Sequence, residues 1–364
     1  MDVAVIAGII MIISVVVMLV MGVPIGISIG MSSALAMITI LPFGPGIVTC
    51  AQKMFTGVNS FSLLAIPFFI LAGNIMNNGG IAIRLVNCAR LISGRLPGSL
   101  AQTNIVANML FGAISGSGTA AAAAIGGTMA PIELEEGYDK DYVAAVNIAS
   151  APTGQLIPPS NTLIVYATVA GSVSVAALFM AGYIPGIAWG ISLMFIAGYM
   201  AKKRGYVSTF SVTPKEAIKV LWDALPSLLL IIIVIGGILK GVFTATEGSA
   251  IAVVYALILS LCYRSLKIKD LPSIILSSCK TTCIVIFMIG VSSIMSWVMA
   301  YTMIPTAIAN AMLSLSSNKY VILLLMNVIL LVVGTFMDPT PAVLIFTPIF
   351  LPICQSFGMA PVQF

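Results

Sequence analysis

The sequence predicts an all-α polytopic membrane protein with almost nothing outside the bilayer. Three observations carry this. Of the 364 residues, 60% are hydrophobic and 7% charged, with a mean hydropathy of +1.15; a soluble domain has roughly 25% charged residues. Apolar segments of about 20 residues, long enough to span, recur along the whole chain. Two segments of about 35 residues each carry a polar kink in the middle, "ISGSGT" (Ile114–Thr119) and "GTFMDPTP" (Gly334–Pro341). A straight span needs neither that length nor that kink, so both read as re-entrant helical hairpins.

In chain order the spans read as 3–21, 24–41, 61–77, a hairpin 98–132, 142–169, 173–201, 225–243, 247–263, 273–300 and a hairpin 320–356. Amphipathic pieces lie at 81–95, 212–223 and 304–316. No signal peptide precedes the first span, since Met1 to Ala4 hold an Asp and no Lys or Arg. Arg84, Arg90 and Arg95 on the first amphipathic piece are expected to snorkel to headgroups. The cluster Glu133, Glu135, Glu136, Asp139, Lys140 and Asp141 reads as a solvated cytoplasmic loop. Glu247, in "TATEGS", reads as a helix cap near the outer surface.

Charge sets the orientation. With the N-terminus outside the cytoplasm, 13 of the 16 Lys and Arg fall inside, and only Lys53, Lys240 and Lys319 fall outside. The positive-inside rule favours that arrangement. It requires both hairpins to enter and leave on one side. The net charge of +5 is no nucleic-acid signal, because the basic residues lie in short loops between spans.

The absences are informative. Histidine is missing, which removes His proton relays, His metal sites and Ser-His catalysis. The six Cys (50, 88, 262, 279, 283, 354) show no metal spacing and no disulfide framework. The 21 Met read as core filling. No nucleotide loop, HExxH or paired carboxylates are present, which disfavours an enzyme and a primary pump. A passive channel would want a continuous polar pore rather than two opposed kinked hairpins.

An offset of 221 residues brings the halves into register: Pro131-Ile132 and Gly137 meet Pro352-Ile353 and Gly358, and Ser117 meets Asp338. The shared order is span, amphipathic arm, kinked hairpin. The first hairpin enters from the cytoplasm and the second from the other side, so the repeats are inverted, a pattern found in many secondary transporters. "GQLIPPSNT" (Gly154–Thr162) breaks the crossing helix after the first hairpin. Pro158 and Pro159 remove two N–H donors and bar a continuous helix, and Gly154 permits close backbone approach. Broken backbone at membrane depth survives only when buried or lining a cavity. A hairpin tip facing it makes a cation cage of carbonyls and hydroxyls. The same offset puts the second break near position ~375 (154 plus the 221-residue offset), past Phe364, so the chain reads as truncated by at least one span. It forms one transmembrane domain over 1–364, with repeat one at about 55–165, an incomplete repeat two at about 276–364, and the remaining helices as scaffold.

"SLLAIPFFILAGNIMNNGGIAIRLV", "ISGSGTAAAAAIG", "EGYDKDYVAAVNIASAPTGQLIPPSN", "KGVFTATEGSA" and "MDPTPAVLIFTPIFLP" resemble the large membrane subunit of TRAP (tripartite ATP-independent periplasmic) transporters, from the first span to Phe364. The resemblance implies an elevator-type, sodium-coupled importer of a small organic anion (sialic acid, a C4-dicarboxylate or another sugar acid) in the bacterial inner membrane. It also implies a periplasmic binding protein that delivers the substrate and a small four-helix membrane subunit that buttresses the scaffold. Carried over, the first sodium site is Ser115, Ser117, Gly154, Ile157 and Pro159; the second takes Gly334 with residues past Phe364. The substrate would lie near Ser117, Ser160, Thr162 and Asp338. Some relatives carry an acidic residue just after the first tip, where this chain has Ala120 to Ala124.

Each of these has a plainer reading. Asp338 is the lone carboxylate deep in the apolar C-terminal half; it could cap a helix, or bind. Ser115 and Ser117 could be small residues at a tight contact. Gln155 and Asn161 could serve the broken helix's own backbone.

Overall fold

The protein is described from a computed structural model covering residues 3–171, 173–206, 212–315, 318–335 and 337–364, with side chains at all of these except 3, 4, 313 and 315. Every regular element among the described residues is helical. In order they are α1 (Val3–Val20), α2 (Ile25–Ile40), α3 (Phe43–Val58), α4 (Ala65–Asn78), α5 (Ile81–Ser93), α6 (Ser99–Ser115), α7 (Gly118–Glu135), α8 (Lys140–Ser150), α9 (Thr153–Leu156), α10 (Asn161–Ala170), α11 (Val175–Arg204), α12 (Pro214–Leu239), α13 (Ala245–Cys262), α14 (Leu271–Tyr301), α15 (Ile304–Leu315), α16 (Lys319–Gly334) and α17 (Pro339–Ser356). Six helical stretches are long and apolar enough to cross a membrane, the longest at Ile268–Tyr301 and Val175–Arg204.

The chain divides into two compact units, to both of which α10 and α14 contribute. The first comprises Met1–Leu63, Val165–Val173 and Thr281–Phe364. Here Ala7 and Met11 of α1 and Ile29, Ala36 and Met37 of α2 bury against Val291, Ile294, Met295 and Val298 of α14. Helix α3 answers to no expected element. It is short, and Thr49, Gln52, Lys53 and Thr56 make it too polar to read as a span. It is anchored where Gly57 meets Ser293, leaving no room for a side chain.

Helices α16 and α17 form an antiparallel hairpin within this unit. Met326, midway along α16, touches Cys354, late in α17, in a core shared with Met312 of α15 and with Ile322, Phe350 and Ile353. Residue 336 of the turn and residue 316, the end of the third amphipathic piece, lie outside the described residues.

The second unit comprises Leu64–Ile164 and Ser174–Lys280. Its arm helix α5 is held by Arg84, whose guanidinium lies 3.5 Å over the Tyr263 ring, donates to the Gly80 carbonyl (2.8 Å) and approaches the Asp223 carboxylate at 3.1 Å without the alignment of a hydrogen bond. Arg84 therefore does not snorkel as expected; it ties α5 to α12 and α13. The pieces expected at 212–223 and 225–243 are one helix, α12, running through Pro226. Tyr255 Oη donates to the Pro226 carbonyl at 2.9 Å and ties α13 to α12 at that point. Capping boxes start α12 (Thr213, Glu216) and α13 (Thr244, Glu247), so Glu247 is a cap.

Candidate functional site

The second unit brings the first hairpin tip onto the broken crossing segment. Helix α6 ends at Gly116, whose φ of +64° is the left-handed conformation that glycine adopts without strain. Ser117 is extended and caps α7, its Oγ accepting from Ala120 N at 3.3 Å. Ser115 is buried beneath it, with Oγ 3.4 Å from the Ser117 carbonyl.

The facing segment is α8, the short α9, a break over 157–160, and α10. Ile157 closes α9 through its N–H to the Thr153 carbonyl (2.8 Å) and is buried. Pro158 and Pro159 then offer no N–H, and the chain restarts with Ser160 Oγ accepting from Leu163 N at 3.3 Å. Thr162 is half-buried in the first turn of α10.

Three contacts lock tip to break. Asn161 N donates to the Gly116 carbonyl at 3.1 Å. The Pro159 carbonyl is so near the tip that a Cβ on Gly116 would lie 2.9 Å from it. Gly112 of α6 abuts Gly154 backbone to backbone, with no space for a methyl on Gly112. Behind the break, α11 presents the glycine row 182, 186 and 190. A Cβ at Gly182 would come within 2.5 Å of the Leu156 carbonyl, and one at Gly186 within 2.6 Å of Ile157 Cγ1. Small residues let backbones approach this closely in membrane proteins.

The arrangement gathers oxygen: the carbonyls of Ser117 and Pro159, the hydroxyls of Ser115 and Ser117, and Asn161 Oδ1, a buried atom without a hydrogen-bond partner among the described residues. Oxygen donors of this kind suit a hard monovalent or divalent cation. Ser115, Ser117, Gly154, Ile157, Pro159, Ser160 and Thr162 thus share one region. Gly334 and Asp338 belong to the other unit. Gly334 is exposed at the end of α16. Asp338, also exposed, caps α17, its Oδ2 accepting from Thr340 N at 3.3 Å.

Gly112, Gly116 and the α11 glycine row have signals in the sequence, the four-residue glycine spacing above all, that sequence reasoning left unused. It also missed the base of the hairpin. Glu133, expected in a solvated loop, has no solvent exposure. It receives Asn104 Nδ2 at 3.4 and 3.3 Å. The solvated reading holds for Glu135, Glu136, Asp139, Lys140 and Asp141, all exposed. What misled is helical phase: α7 continues past Glu133 and turns it inward.

An all-helical, multi-pass chain with a helical hairpin locked on a broken crossing segment is built as a membrane transport protein. The description "Tripartite ATP-independent periplasmic transporter, DctM component" matches residues 12–364, and the chain belongs to this family. It is 54% identical to the Salmonella typhimurium protein YgiK over 92% of this chain and 77% of that one. It is 37% identical to the Vibrio cholerae sialic acid TRAP transporter large permease protein SiaM, over 91% and 77%. Its fold is similar to that of the Alcanivorax borkumensis YdaH transporter, with a TM-score of 0.60 and 15% identity, covering 87% of this chain and 75% of that one. SiaM is named as a permease protein of a transporter, and this chain is no enzyme.

Proposed function

We propose that this chain is the subunit through which a small organic anion crosses the inner membrane with sodium, the ion held between the α6–α7 tip and the α9–α10 break. The single observation that carries the reading is the buried, unpartnered Asn161 Oδ1 beside carbonyls and hydroxyls at a double-proline break. A buried oxygen without a donor is costly unless something satisfies it, and a cation does so without needing a hydrogen. Ser115, Ser117, Gly154, Ile157 and Pro159 form this site in the proposal. Gly334 contributes to a second; Ser117, Ser160 and Thr162, and separately Asp338 in the other unit, are the proposed substrate contacts.

Family membership supports two partners, a periplasmic binding protein and a small membrane subunit, and the name of SiaM supports sialic acid as a first substrate to try. A C4-dicarboxylate or another sugar acid belongs to the same chemical class. The distribution of basic residues supports a periplasmic N-terminus.

The test is uptake into proteoliposomes holding both membrane subunits, with the binding protein outside. Uptake should require an inward sodium gradient. A neutral hydroxyl ligand contributes about 0.5–1.5 kcal/mol, so Ser115→Ala and Ser117→Ala should each raise the half-activating sodium concentration roughly two- to tenfold. Wild-type sodium curves in both variants would refute the site, and gradient-independent uptake would refute the coupling.

A further inference from the structure

Glu133 closes the base of the α6–α7 hairpin, past the 98–132 segment read as membrane-embedded. Its side chain is fully buried, whereas Glu135 and Glu136 beside it are exposed. One amide serves both carboxyl oxygens, Asn104 Nδ2, at the long distances of 3.4 and 3.3 Å. Asn104 is itself held from behind: Asn108 Nδ2 donates to Asn104 Oδ1 at 2.8 Å and lies 2.9 Å from Ser150 Oγ, while Asn147 Nδ2 donates to the Ala122 carbonyl at 3.0 Å. This polar row leads along α6 from Glu133 towards Gly112 and the break.

The ionisable groups around Glu133 do not neutralise a negative charge. The loop after α7 brings Tyr138 and α8 brings Tyr142, both of which feel the Glu133 charge; Arg90 and Glu136 line a cavity with Tyr138 and Tyr206, Asp141 and Arg204 line one with Tyr142, and Asp139 and Lys140 are exposed. Arg204 is spent on Asp139 and lies over the Tyr142 ring. Among the described residues no base forms an ion pair with Glu133. A fully buried carboxylate needs a cation or several short donors to stay ionised. One distant amide is neither, and the neutral form avoids the cost of burying an unpaired charge.

We propose that Glu133 is a proton-binding site: the carboxyl holds a proton while the hairpin base is packed, and releases it to water when that base opens. The proposal does not depend on the sodium reading. Burial pushes the carboxyl up to about 7, and the Asn104 bond pulls the other way. With the packed-state value raised above the ordinary 4.5, stability is highest below that ordinary value. It falls as pH rises towards about 7 and is flat above. Inside the window the packed-to-open ratio drops about tenfold per pH unit.

The experiment uses the purified protein in lipid nanodiscs. Infrared difference spectra between pH 5 and pH 9 should show the C=O stretch of a protonated carboxyl that vanishes at high pH and is missing in Glu133→Gln. Glu133→Gln, which mimics the protonated form, should keep the melting temperature the wild type has at pH 5 and lose its decline towards pH 7; Glu133→Ala should melt lower than Glu133→Gln at every pH. Should Glu133→Gln fail to fold, Asn104→Ala decides. Removing the donor that favours the ionised form should move the midpoint of the carboxyl band to higher pH. A carboxyl already ionised at pH 5, an unchanged pH profile in Glu133→Gln, or a midpoint that stays or falls in Asn104→Ala would overturn the proposal.

Discussion

Asp338 and Glu133 are opposite lessons in what one carboxylate reveals. Asp338 followed by Pro339 in an apolar stretch is a capping signal, and the cap is there. On the proposed function it also meets the substrate, and charge limits how. Two unit charges about 6 Å apart at an effective dielectric of about 20 repel by roughly 3 kcal/mol, so the carboxylate is suited to accepting from substrate hydroxyls or amines, away from the anionic end. Asp338→Asn keeps the cap and should leave thermal stability unchanged while lowering uptake. Asp338→Ala should cost about 1 kcal/mol of stability as well. Full uptake by Asp338→Asn would remove Asp338 from the substrate path. Glu133 was not legible in the same way. In "ELEEGYDKD" every acid looks alike, and only the extra turn of α7 separates the buried one from its neighbours.

Among elements, the decisive contact is α6 against the crossing segment. Gly112→Ala pushes a methyl into the backbone of Gly154, which cannot retreat as a flexible side chain would. The expected loss is at least the roughly 1–3 kcal/mol of ordinary overpacking, with tip and break forced apart. Gly127→Ala in α7 is the control, since a Cβ there meets nothing within 4 Å. It should be neutral or gain up to about 1 kcal/mol of helix propensity. A thermal melt in which both variants match the wild type would show that the close approach is not maintained. The hairpins were legible because length and a central kink are properties of one segment. Helix α3 was not, because its polar residues hide it and the residue that it packs against, Ser293, lies far along the chain.

For the whole molecule, composition identified the membrane class and five short motifs the family, since both are written in consecutive residues. The division into two compact units, each assembled from distant stretches, has no local signature. Orientation is a global property that charge does predict. A cysteine replacing Lys319 should react with an impermeant reagent applied outside intact cells, and one replacing Lys203 only after the membrane is opened; the reverse pattern would overturn the N-out arrangement. The bond between the Gly116 carbonyl and the Asn161 backbone N–H joins a carbonyl that every residue supplies to an N–H that only proline lacks. Such a seam is indifferent to mutation of the side chains around it, provided position 116 keeps its left-handed turn. Descendants of this chain are therefore free to rewrite the side chains around the seam without having to reinvent the frame.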